Sequence, residues 1–124
     1  MVVDTSVVLA VLFEEEHAAW AAEQLQRHRG ELCMSTVNLT EVLIRLRSQQ
    51  PELADELSEQ VLTGGFRFEA PDTRQAELAA AARLRFPLNL GDCFAYALAI
   101  AEDCAILTTD ADFRRLDRPI LFPA

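Results

Sequence analysis

Residues 1–13 read MVVDTSVVLAVLF. The opening apolar residues suit a short buried strand that ends on an acid, Asp4, and Thr5 or Ser6 is placed to cap a helix beginning in SVVLAVLF. A strand that feeds directly into a helix is half of a parallel crossover unit, and the same pattern recurs along the chain. Residues 31–35, ELCMS, read as a second strand, and residues 37–50, VNLTEVLIRLRSQQ, place Val42, Leu43 and Leu46 on one helical stripe. FRFEA (66–70) alternates as a third strand, AILTT (105–109) is a fourth and PILFP (119–123) a last one.

Between these strands lie helical runs. EEEHAAWAAEQLQRHRG (14–30) has acids in its first turn, bases in its last and Gly30 beyond its end. Pro51 interrupts the helix before it, and PELADELSEQVLTGG (51–65) starts another that Gly64 and Gly65 close. TRQAELAAAARLR (73–85) strongly favours helix until Pro87. NLGDCFAYALAIAEDC (89–104) is apolar on nearly all sides between Phe94 and Ala101, which puts it in a central, buried position. Alternation of strands and helices implies a three-layer α/β/α sandwich around a mostly parallel sheet of four to five strands. With 124 residues, 51% of them hydrophobic, and no linker or repeat, residues 1–124 are expected to form one domain.

The formal charge of −9, from 20 acids against 11 bases, has the wrong sign for non-specific grip on a phosphate backbone. A nucleic-acid role would need divalent cations at a carboxylate cluster, or a basic partner. All the cationic side chains other than the two histidines are arginines, so chemistry that requires lysine is excluded. The three cysteines, Cys33, Cys93 and Cys104, form no CxxC pair and their odd number argues against a disulfide framework. Buried thiols in a reducing cytoplasm are the expectation. The longest apolar stretch, Cys93 to Ala101, is too short for a membrane span, and no basic leader precedes Asp4.

In such a sheet, ligands bind outside the carboxyl ends of the strands. Asp4 and Asp110 directly follow strands, and Glu41 and Asp92 fall near helix starts, so four carboxylates stand to meet in one crevice. Each acid also has a plainer reading. Asp4 could bond amides at the turn, Asn38 and Glu41 fit a capping box, Asp92 could complement a helix dipole and Asp110 could cap DFRRL.

Taken together, VVDTSVVLA, STVNLTEV, LGDCFAYALA and ILTTDADF resemble the four signature segments of PIN domains, in family order and across nearly the whole chain. The resemblance is greatest to the VapC-type ribonuclease toxins of bacterial toxin–antitoxin pairs. It implies a divalent-metal-dependent endoribonuclease in which Asp4, Glu41, Asp92 and Asp110 are catalytic and hold Mg2+ or Mn2+. It further implies supporting roles for Thr5, Ser6 and Thr109 and a further acid at Asp112. Asn38 is a candidate to orient water or phosphate, and Arg114 and Arg115 are candidates to contact RNA or a partner. A homodimer and a small antitoxin partner follow from the resemblance, not from spacing. The chemistry fits, since magnesium takes oxygen ligands and is usually held by a few carboxylates plus substrate phosphate.

Other readings fare worse. His17 and His28 have no ligand partner at metal spacing, and Cys93 has no histidine nearby to activate it. The arginine pairs 45/47 and 83/85 suit solvated helix faces, and Leu43, Leu46, Leu57, Val61 and Leu62 serve either a core or a partner groove. A phosphotransfer receiver would need a lysine, a haloacid-dehalogenase-like phosphatase would need an acid where Ser6 stands, and the glycine patterns of P-loop and Rossmann proteins are absent. A catalytically silent PIN scaffold is the serious alternative, although such members commonly lose acids that this chain keeps.

Overall fold

A computed structural model describes residues 1–124. Strand β1 (Val2–Val3) leads into helices α1 (Thr5–Leu12) and α2 (Ala18–Arg27); β2 (Cys33–Ser35) leads into α3 (Thr36–Gln49) and α4 (Ala54–Leu62). Strand β3 (Arg67–Glu69) is followed by α5 (Thr73–Arg85) and α6 (Leu90–Glu102), then β4 (Ile106–Leu107), a 3-10 turn (Ala111–Arg115) and β5 (Ile120–Leu121). All five strands are parallel, in the order β3-β2-β1-β4-β5. The expected α/β/α sandwich is therefore present with five strands and no antiparallel one.

This order sets where the site lies. The chain winds outward from β1 through β2 to β3, then returns to the other side of β1 for β4 and β5. The winding reverses between β1 and β4, and the crevice beyond the carboxyl ends of those two strands is the switch point. Asp4 follows β1 and the segment Thr108 to Asp110 follows β4.

Two apolar layers hold the sheet. On one side Val7, Val8, Met34, Val42 and Leu46 pack around Val3 and Leu107; on the other Ala95, Leu98, Ala99 and Phe113 pack around Val2, Cys33 and Ile106. Alternating residues of β1 thus face opposite layers, as strand geometry requires. Helix α6 is the buried central helix expected, and its small alanines let α5 lie close, with Ala79 and Ala82 against Cys93, Tyr96 and Ala97. Cys33 and Cys93 are buried and all three cysteines are free. No helix is long and apolar enough to cross a membrane.

Three local expectations need correction. The N-cap of α1 is Asp4 itself, not Thr5 or Ser6. β1 pairs with β4 through the bond from the Asp4 amide to the Leu107 carbonyl, so the strand conformation extends to Asp4 and the helix can start only at Thr5. Asn38 is not a cap, because Ser35 ends β2 and accepts from the Val37 amide at 3.2 Å, placing Asn38 inside α3. Helix α2 starts at Ala18, four residues later than its acids suggest. The chain reverses there through left-handed backbone at Glu14 (φ 50) and His17 (φ 70), which interrupts helical hydrogen bonding.

Candidate active site

Asp4, Glu41, Asp92 and Asp110 line a single crevice of about 200 Å³ together with Thr5, Ser6, Asn89 and one apolar wall, Leu9. The other cavities of the chain carry no carboxylate. Acidic side chains from β1, α3, α6 and the segment after β4 are thus brought to one place by the switch in strand order.

Asp4 is nearly sealed from solvent, and its two oxygens are treated differently. Oδ2 accepts from the Ser6 amide (3.3 Å), the Ser6 hydroxyl (2.6 Å) and the Thr108 hydroxyl (3.0 Å). Oδ1 is buried with no hydrogen-bond partner. The two hydroxyls are themselves oriented, since Ser6 Oγ accepts from the Thr109 amide (3.0 Å) and Thr108 Oγ1 from the Asp110 amide (2.9 Å). Each hydroxyl thus accepts from a backbone amide, and its one proton can point at Asp4. Of the two adjacent threonines, then, Thr108 supplies the side chain beside the acids, while Thr109, the one singled out in the sequence, supplies a backbone N–H.

Glu41 is held on one oxygen. Its Oε1 accepts from Thr5 Oγ1 at 2.7 Å and from Asn38 Nδ2 at 3.1 Å. The second hydrogen of the Asn38 amide goes to the Gly91 carbonyl at 3.0 Å, so the fully buried Asn38 ties α3 to the start of α6. Asp92 combines two roles. It forms a reciprocal capping box with Asn89, each side chain accepting from the other's backbone N–H (2.8 and 3.2 Å), and it also lines the crevice. Asp110 caps the 3-10 turn by accepting from the Asp112 amide at 2.9 Å. Several of the plainer readings are therefore true as local chemistry, alongside the shared crevice.

Burial and like charge act on these acids together. Asp4 is pushed up to about 6, chiefly by loss of water around its carboxylate, against which the Ser6 and Thr108 bonds pull down and Asp110 adds repulsion. Asp92 is pushed up to about 7 by burial first, then by the charges of Asp4, Asp110 and Glu41. Buried carboxylates raised by neighbouring carboxylates mark a place where negative charge is held without compensation.

The peripheral candidates separate. Asp112 is exposed and lends the crevice only its amide, through Asp110. Arg114 is stacked over the Phe122 ring at 5.3 Å, and Arg115 is exposed; neither lines the crevice. Asn89, Thr108 and Gly91 were passed over in the sequence. The N-x-x-D spacing of Asn89 and Asp92 was a legible capping signal, and a glycine directly before an acid at a helix start was a signal of close approach.

The residues fit a divalent cation. No three His, Cys, Asp or Glu side chains stand close enough to hold a metal ion between them directly. Magnesium does not need one, because it keeps several of its waters and takes one or two carboxylates plus phosphate. The bare, buried Oδ1 of Asp4 is the observation that favours a cation, since an unsatisfied oxygen of this kind is otherwise costly.

Comparison with known proteins identifies the family. Residues 1–119 match the PIN domain family. Ribonuclease VapC28 of Mycobacterium tuberculosis is 36% identical over 133 aligned residues, which cover 95% of this chain and 99% of that relative. Among solved structures, VapC20 of Mycobacterium tuberculosis, described as a sarcin-ricin loop cleaving toxin, aligns with a TM-score of 0.79 at 18% identity, over 91% of this chain and 92% of its own. A toxin–antitoxin complex from Klebsiella pneumoniae aligns with a TM-score of 0.77 at 19% identity, over 99% and 97%. At such identities the two structures bear on the fold alone.

Proposed function

The chain belongs to the PIN domain family, and from that membership together with the acidic crevice we propose that residues 1–124 act as a single endoribonuclease domain that depends on Mg2+ or Mn2+. In this reading the protein is the cytoplasmic toxin of a toxin–antitoxin pair. The unpartnered Asp4 Oδ1, set among three further acids, is the observation that carries the metal dependence.

Asp4, Asp92 and Glu41 are the residues that would hold the ion, directly or through its waters, and Asp110 would complete a second, weaker position. When bound, the ion polarises a phosphate oxygen and lowers the pKa of the attacking water. The protein's own contribution is orientation. Ser6 and Thr108 donate to Oδ2 of Asp4 and so fix the rotation of that carboxylate with Oδ1 left over. Thr5 and Asn38 do the same for Glu41 through Oε1. Groups held before substrate arrives need no reorganisation during the reaction. Arg115, exposed five residues after Asp110, would meet a flanking phosphate of single-stranded or looped RNA.

An antitoxin partner is supported by charge and by shape. The net charge of −9 favours a basic peptide, and an arginine of that peptide could occupy the acid crevice. An apolar groove of about 180 Å³ between α1, α2 and α4, lined by Val8, Val11, Leu12, Leu25, Val61 and Phe66, suits an amphipathic segment. Of the apolar residues singled out in the sequence, only Val61 lines it, while Leu46 belongs to the core. A homodimer is part of the same proposal.

The test is digestion of total RNA by purified protein, with Mg2+, with Mn2+ and with excess chelator, followed by sequencing of the product ends. Discrete metal-dependent cuts support the reading. Cleavage that persists undiminished in chelator would remove the metal from it, and loss of inhibition by every small protein encoded alongside would remove the toxin role.

A further inference from the structure

Gly91 sits in the first turn of α6, immediately before Asp92, with helical backbone that any residue adopts. Its conformation therefore does not explain the glycine, and in a helix glycine is the poorest choice after proline. The surroundings do explain it. A Cβ at this position would lie 2.5 Å from the carboxyl carbon of Glu41 and closer still to both of its oxygens, far inside any tolerated contact. Glu41 could swing away only by giving up its bonds from Thr5 Oγ1 and Asn38 Nδ2, and Asn38 is also the donor to the Gly91 carbonyl.

We propose that Gly91 is a positioning residue for the acidic site, its bare Cα providing the berth in which the Glu41 carboxylate lies beside the start of α6. The carbonyl of Gly91 fixes Asn38, Asn38 fixes Oε1 of Glu41, and the missing side chain leaves room for the group so fixed. Helices α3 and α6, far apart in sequence, thereby present Glu41 and Asp92 to one crevice. The inference rests on the reading of Glu41 as one of the metal-holding acids, but its geometric part does not require metal.

The experiment is a double-mutant cycle of Gly91→Ala and Glu41→Ala, read first by thermal melting without metal. Over-packing against Glu41 should lower the Tm of Gly91→Ala by about 5 °C or more relative to the parent. In the Glu41→Ala background the same substitution should cost nothing, or stabilise, since the three atoms nearest the new Cβ, all of the Glu41 carboxylate, are then gone and alanine favours helix. If Gly91→Ala fails to fold, adding Glu41→Ala should restore folding. An equal loss in both backgrounds, or a double variant that stays unfolded, would overturn the proposal.

The second readout is Mn2+ affinity by calorimetry. Gly91→Ala should weaken it at least ~10-fold where Glu41 is present and leave it unchanged where Glu41 is absent, a split that helix destabilisation alone does not give. Undiminished affinity in folded Gly91→Ala, with the parent binding normally, would overturn the positioning role. A parent that binds no Mn2+ would instead count against the metal reading, while the melting cycle still decides the berth.

Discussion

Two aspartates in this small protein receive opposite treatment. In the crevice, Asp4 is buried, has one oxygen with no partner and is raised to about 6, with Asp110 adding repulsion. Beside the middle of α6, Asp117 accepts from the Tyr96 hydroxyl at 2.5 Å and from Arg85 at 3.4 Å, and its carboxyl is held below the ordinary value, first by the Tyr96 bond. Asp117 pins the segment before β5 to α5 and α6, as a structural acid does. Asp4 has hydroxyl bonds on one oxygen but no cationic partner, and Arg45, Arg85 and Arg118 are all spent on acids elsewhere. The difference teaches that the crevice is deficient in positive charge by construction, and a cation from outside the chain is the simplest completion of it.

The largest expected effect breaks the comparison at its acidic side. Asp4→Asn should lower metal-dependent RNA cleavage at least ~100-fold in a single-turnover assay while leaving a folded protein, because it removes charge from the crevice but keeps hydrogen-bonding atoms. Asp92 sharpens the same point. Asp92→Asn should lose a similar factor in rate yet melt no lower than the parent without metal, since an amide oxygen still accepts from the Asn89 amide. Asp92→Ala should lose both the rate and the cap, melting below Asp92→Asn. Asp92→Asn cleaving at the parent's rate would reduce Asp92 to a helix cap.

The pH dependence of stability is the next largest effect. Asp4 and Asp92 bind protons more tightly folded than unfolded, so the stability linked to those protons is full below about pH 4 and is lost as pH rises through about 6 and 7. Asp117, with its lowered value, is ionised throughout that upper range and contributes no slope there. Melting of the metal-free protein should therefore fall by on the order of 5 °C between pH 5 and pH 7. In the Asp4→Asn/Asp92→Asn double variant the slope should flatten. A parent profile that rises over this range would contradict the electrostatic description of the crevice.

The smallest effect lies at the structural acid. Asp117→Asn keeps the Tyr96 contact but weakens an exposed ion pair, so it should shift Tm by no more than about 3 °C and leave the cleavage rate within about twofold. A rate loss comparable to that of Asp4→Asn would erase the distinction between the two regions.

Much of this was legible in the sequence because strand ends and helix starts are local signals. Asp4 and Asp110 could be placed at one sheet edge from the short apolar runs before them, and Glu41 and Asp92 from the helices that follow. The misplaced details depend on partners distant in sequence. Asp4, Thr5 and Ser6 are all competent caps, and the choice falls to Asp4 because the bond from its amide to Leu107 fixes where β1 stops. Thr108 and Thr109 are chemically alike, and only the positions of Asp4 and Ser6, a hundred residues away, decide which hydroxyl serves the site. Asn38 looked like a cap by spacing, whereas its use is to join Glu41 to Gly91 across two helices. Gly91 has no meaning until the Glu41 carboxylate is seen lying on it.

The most direct test of the charge-deficient crevice is calorimetric titration of the metal-free parent with Mn2+ at pH 7, beside Asp4→Asn under the same conditions. Saturable binding by the parent is expected, with protons released as Asp4 and Asp92 are fully ionised, and an affinity at least ~10-fold weaker in Asp4→Asn. Equal affinity in the two proteins, or no saturable binding by the parent, would contradict it.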